Sequence, residues 1–99
     1  MIKKVNRKQL SDWMAGYIAG MIDGEGTIRS KPSRKDVRIY NNNFEMLSIV
    51  QVFSGGRISK NKDGLVLNYR KEEQRWLLPQ IIPYLIIKKQ KAIDLLKIL

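Results

Sequence analysis

The chain has 99 residues, too few for two domains and enough for one core of moderate stability. Its 19 Lys and Arg against 9 Asp and Glu give a formal charge of +10, and 43% hydrophobic residues argue for a folded basic domain rather than a disordered tail. With no cysteine and no histidine, disulfides, thiolate metal sites and imidazole catalysis are excluded, which leaves carboxylates, lysines, water and hard metals.

The sign of the charge favours a polyanionic partner, since Lys and Arg that neutralise phosphates release condensed counterions. The longest apolar stretches fall far short of a bilayer span, and the basic opening "MIKKVNRKQL" lacks the form of a secretion signal. A cytoplasmic location is expected, or an organelle for an organelle-encoded chain, with no membrane partner. Lys3, Lys4, Arg7 and Lys8 read as a basic arm that contacts phosphate at most.

From Leu10 onward, apolar residues at helical spacing predict a first helix over about Asp12 to Asp23, with Ser11 or Asp12 as its cap. Two strands are expected next, near Thr27 to Lys31 and Val37 to Tyr40, joined by the turn "KPSRKD", in which Pro32 stops the first. An asparagine cap at Asn42 or Asn43 opens a second helix that "SGG" ends. A hairpin follows, with strands near Arg57 to Ser59 and Leu65 to Arg70 around Asp63-Gly64. Helices from about Glu72 to Ile82 and Lys88 to Leu99 close the chain on either side of Pro83, and "LLPQIIPYLII" reads as buried helix packing. The prediction is therefore one α+β domain over residues 1–99, in the order αββαββαα, with a four-stranded antiparallel sheet backed by helices.

Strand alternation sorts the sheet into two faces. With Ile28, Val37, Ile39, Ile58, Leu65 and Leu67 inward, the outward face carries Arg29, Lys31, Arg38, Tyr40, Arg57, Ser59, Asn68 and Arg70. Five of these eight are Arg or Lys and none is acidic, a bias that polarity alone does not explain. A ribbon of strands fits the major groove of duplex DNA, where Arg pairs with guanine and Asn with adenine.

Within "YIAGMIDGEG", Gly16, Ala19, Gly20 and then Asp23 or Gly24 form one narrow stripe of mostly small residues on the first helix. Two glycines in a soluble helix cost about 1 kcal/mol each, and close approach to another helix would compensate. That second helix belongs either to the same chain or to a second copy. Asp23 and Glu25 follow at the point where the helix meets the basic sheet, so a divalent cation between carboxylate and phosphate is expected. Asp23 reads first as a structural acid that satisfies backbone donors at the turn.

"IAGMIDGEG", Ile18 to Gly26, resembles the LAGLIDADG motif that names a homing endonuclease family: Ala19, Gly20, Ile22, Asp23 and Gly26 match it letter for letter, and Gly24 is a common variant. Ile18, Met21 and Glu25 are conservative replacements, and "IYNNNFEML" and "GGRIS" resemble later segments of the family. The resemblance implies a metal-dependent endonuclease specific for double-stranded DNA, with Mg²⁺ or another divalent cation such as Mn²⁺ held by Glu25 and the Gly24 carbonyl. It further implies that Asn41 and Lys88, with Lys89 as the close alternative, order the solvent there. A single motif implies a homodimer that joins through the stripe of Gly16, Ala19, Gly20 and Asp23 and reads a palindromic or near-palindromic site. The chain is shorter than usual for members with one motif, so fewer contacted base pairs are expected. A non-cleaving DNA-binding regulator and an RNA maturase are the alternatives on the same fold; Tyr40 is the one obvious aromatic of the sheet face, which weighs against single-stranded RNA.

Overall fold

Helix α1 (Asp12–Glu25) begins where Ser11 caps it, its hydroxyl accepting from the Met14 amide at 3.3 Å. The computed structural model describes residues 9–99; the arm expected at Lys3, Lys4, Arg7 and Lys8 lies outside them. Strands β1 (Gly26–Lys31) and β2 (Arg34–Tyr40) form the first hairpin, and helix α2 (Phe44–Ser54) starts at an Asn43 cap that accepts from the Met46 amide. Strands β3 (Arg57–Asn61) and β4 (Gly64–Asn68) form the second hairpin, followed by α3 (Lys71–Ile81), a single 3-10 turn (Ile82–Tyr84) and α4 (Lys89–Ile98).

The two hairpins join through their inner strands in the order β1-β2-β4-β3, all pairs antiparallel. One row across the sheet, Gly26–Ile39–Leu67–Ile58, faces the helices; the next, Thr27–Arg38–Asn68–Arg57, faces away from them. Met14, Ile18 and Ile22 of α1, Leu77, Leu78 and Ile81 of α3 and Leu95 of α4 are buried with Ile28, Val37, Ile39 and Leu67 in one core. Each such aliphatic side chain contributes about 1.5–3 kcal/mol by leaving water. Tyr69 threads a hydroxyl into this core and shares a 2.6 Å hydrogen bond with the buried Ser54, which also donates to the Val50 carbonyl. Among the described residues no helix is long and apolar enough to cross a membrane.

The structure departs from the sequence expectation at four places that bear on the site. Helix α1 runs to Glu25, so helix passes into strand with no linker. The first turn is only Pro32 and Ser33, and β2 therefore starts at Arg34 rather than Val37. Strand β4 ends at Asn68, which takes Arg70 off the sheet: its amide donates to Glu73 Oε1 at the start of α3. Of "LLPQIIPYLII", Leu77, Leu78, Ile81 and Leu85 are buried as expected, whereas Ile86 and Ile87 are 85% and 76% exposed.

Candidate nucleic-acid interface and metal site

Glu25 is the last residue of α1, and the close packing around Gly26 fixes its position. The Gly26 amide donates to the Ile22 carbonyl, and a Cβ at Gly26 would lie 2.8 Å from both the Arg38 carbonyl oxygen and the Ile22 Cα. Backbone meets backbone there, so the final glycine of the motif is a packing requirement. Glu25 itself is exposed, and its Oε1 accepts from Asn41 Nδ2 at 2.7 Å. Asn41 Oδ1 accepts from the Asn43 backbone amide at 2.8 Å, which orients both ends of the Asn41 side-chain amide. That geometry makes Asn41 a holder of the Glu25 carboxylate, with its own oxygen turned toward the start of α2. Beside the pair lies a polar hollow of about 400 Å³ that Tyr40, Asn42, Asn61 and Asp63 also line.

Asp23, two residues earlier, is engaged differently. Its carboxylate accepts from the amides of Ile86 at 2.8 Å and Lys88 at 3.0 Å, pinning the segment before α4 to the end of α1. Burial disfavours its charged form, but the amides of Ile86, Lys88 and Ile87 and the nearby Lys88 ammonium outweigh burial and hold the carboxyl below its usual value. Lys88 Nζ donates to the Asp23 carbonyl at 2.8 Å, so the ammonium caps the negative end of the helix.

The end of α1 is thus electronegative: its last turn has no basic residue of its own and includes Asp23 and Glu25. Carboxylates at that end are unfavourable by roughly 0.3–1 kcal/mol each when exposed, and a cation relieves this. The Gly24 carbonyl, in the last turn, is one that the helix leaves without an intrahelical donor. A magnesium-like ion, which takes few carboxylates and keeps water and phosphate oxygens as ligands, suits this donor set. Among the described residues no group of three or more Asp, Glu, His or Cys stands ready to hold a metal.

On the outward face the structure brings Arg29, Lys31, Arg38, Tyr40, Arg57, Ser59 and Asn68 together, with Asn68 Nδ2 donating to Ser59 Oγ at 3.1 Å. Thr27 and Arg34 belong there too; the early start of β2 hid Arg34 inside the expected turn. The same error hid an acid, and the expectation of an acid-free face is corrected. Asp36 lies opposite Arg29, accepts from its Nε at 2.9 Å, and sits 3.8 Å from Arg38 Nη2. Arg29, Arg34 and Arg38, with Lys88 and Lys91 from the start of α4, ring a hollow of about 400 Å³. Thr27 Oγ1 and Arg38 Nε are buried there without a hydrogen-bond partner. Val66, between Tyr40 and Ser59 on this face, is apolar and buried, which alternation alone did not suggest.

The small-residue stripe divides. Ala19 is wholly buried in the chain's own core and leaves the expected interface, while Asp23 is half-buried and bound to the segment before α4. A Cβ on Gly16 would touch Tyr84 at 3.9 Å; one on Gly20 or Gly24 would meet nothing. Around the open glycines the apolar surface widens to Trp13 and Tyr17 on α1 and to Ile49, Val52 and Phe53 on α2, with the Trp13 and Phe53 rings edge-to-face at 6.5 Å.

Residues 12–81 match the model of the LAGLIDADG-like domain, and the chain belongs to the LAGLIDADG family. No curated protein sequence matches it. Among solved structures, the homing endonuclease I-CvuI, bound to a DNA target of I-CreI with 2 mM Mg and the DNA not cleaved, superposes with a TM-score of 0.76 at 22% identity. I-CvuI bound to its own target with 2 mM Ca gives the same TM-score at 21% identity. Each match covers 88% of this chain and 66% of I-CvuI, so the chain spans about two thirds of that protein.

Proposed function

We propose that the chain is a sequence-specific, metal-dependent endonuclease for double-stranded DNA that works as a homodimer. The observation that carries this is the junction at Glu25 and Gly26: a carboxylate oriented by Asn41 at the electronegative end of the motif helix, continuous with the basic face of the sheet. I-CvuI, of the same fold, is a homing endonuclease seen on DNA with Mg or Ca.

Glu25 and the Gly24 carbonyl would hold a divalent cation, Mg²⁺ or Mn²⁺, which when bound lowers the pKa of a water molecule and offsets charge at the scissile phosphate. Asn41 keeps one Glu25 oxygen engaged and leaves the other facing solvent. Lys88, fixed at the Asp23 carbonyl, supplies positive charge beside the same helix end. Arg and Asn on the outward strands read the major groove, while Lys31, Arg34 and Lys91 add charge for the backbone. The open face at Gly20 and Gly24, with Trp13, Tyr17 and Ile49 around it, would pack on a second copy and bring a second Glu25 near the first. A two-fold protein of this kind reads a palindromic or near-palindromic site.

The test is cleavage of a randomised duplex library with Mg²⁺ and with EDTA, by the wild type and by Glu25→Gln. Metal-dependent double-strand cuts at a two-fold sequence, lost in the variant, are expected. Binding without cutting in either protein would remove Glu25 from catalysis and favour the DNA-binding regulator.

A further inference from the structure

The basic face contains one acid, and its position is unusual. A carboxylate on a surface that approaches phosphates lowers affinity for every duplex regardless of sequence. Asp36 nevertheless stands in the row directly beside the reading row, opposite Arg29 across the β1–β2 ladder. A cross-strand ion pair at the surface contributes only about 0–1 kcal/mol to stability, which is a weak reason to dilute the positive field.

The geometry points to another role: we infer that Asp36 is a positioning residue that makes Arg29 selective for guanine, an inference that rests on the DNA-binding reading above. A free arginine on a strand has several rotamers and can donate to phosphate, to either base edge or to water. Here Asp36 Oδ1 takes Arg29 Nε at 2.9 Å, which fixes the plane of the guanidinium and uses its inner edge. The bond also holds Arg29 more firmly protonated than usual, against the opposing effect of burial. The edge formed by the two Nη groups is then the one left for a ligand, and it matches the paired acceptors O6 and N7 of guanine in the major groove. Asp36 Oδ2, 3.8 Å from Arg38 Nη2, draws the second guanidinium toward the same acid and limits its reach.

The test is enrichment of a randomised duplex library in Ca²⁺ by the full chain and by Asp36→Asn, Asp36→Glu and Arg29→Gln, together with the salt dependence of binding to a non-selected duplex. For the wild type, a strong guanine preference at one position of each half-site is expected. Asp36→Asn and Arg29→Gln should both flatten that position by about tenfold and leave the positions beyond reach of Arg29 and Arg38 unchanged, and Asp36→Glu should restore much of the preference. Asp36→Asn should also bind the non-selected duplex more tightly, whereas Arg29→Gln should bind it more weakly. The same guanine preference in Asp36→Asn as in the wild type would overturn the role, as would a uniform loss at all positions that tracks a lowered Tm. A wild type that enriches no sequence at all would overturn the DNA-binding reading first and this inference with it.

Discussion

Glu25 has two carboxylate oxygens, and its own chain engages one of them through Asn41. Replacing Glu25 by Gln keeps the shape and removes the charge, so cleavage should fall by about a hundredfold or more while duplex binding in Ca²⁺ persists. Asn41→Ala frees the carboxylate to rotate, and a loss of about 10–100-fold in activity, with weaker metal affinity, is expected from Mg²⁺ titration of the cleavage rate. Asp23 belongs to stability instead. Its carboxyl titrates below 3.8 in the fold because amides of the segment before α4 hold the anion. Its contribution is therefore complete above that unfolded value and is lost as the pH falls through the lowered folded one. Asp23→Asn should cost about 1 kcal/mol at neutral pH, and the gap in Tm between it and the wild type should close on acidification below about 4.

At the scale of elements, the glycines of α1 do two different jobs that substitution separates. Gly26 faces backbone at 2.8 Å, so Gly26→Ala should destabilise the protomer by about 1–3 kcal/mol in denaturant unfolding. Gly20 faces nothing in its own chain. Gly20→Leu should leave the chain folded by circular dichroism and abolish the proposed dimer in sedimentation. The different surroundings of these two glycines mark where the sequence was legible and where it was not. The motif and its spacing set out the helix and the acids at its end, because a 3.6-residue period and nine consecutive letters are local information. What went unread depended on neighbours distant in sequence. Nothing local says that Ala19 is enclosed by the core while Gly20 is not, or that Asp23 is satisfied by amides more than sixty residues later. Asp36 was hidden by a boundary: with "KPSRKD" taken as a six-residue turn, the strand that carries the acid was begun three residues late. Ile86 and Ile87 lie in an apolar run whose period suggested burial, but the Asp23 anchor holds their backbone at the surface.

At the scale of the whole molecule, charge and symmetry govern the measurements. On the proposed homodimer reading the chain of 11.5 kDa should sediment at twice that mass, and its affinity for non-selected duplex should fall with salt at a log–log slope of about −0.9 per phosphate neutralised. Helix α1 and strand β1 share an unbroken backbone, with Glu25 in one and Gly26 in the other. A joint of this kind has no slack in length. One residue inserted there would turn Glu25 by about 100° around the helix axis, or exchange the two faces of β1. On the DNA-binding reading, such a chain would change what it recognises by exchanging side chains along the strands, whereas an inserted residue would be tolerated at a hairpin tip such as Pro32-Ser33, where neither register is at stake.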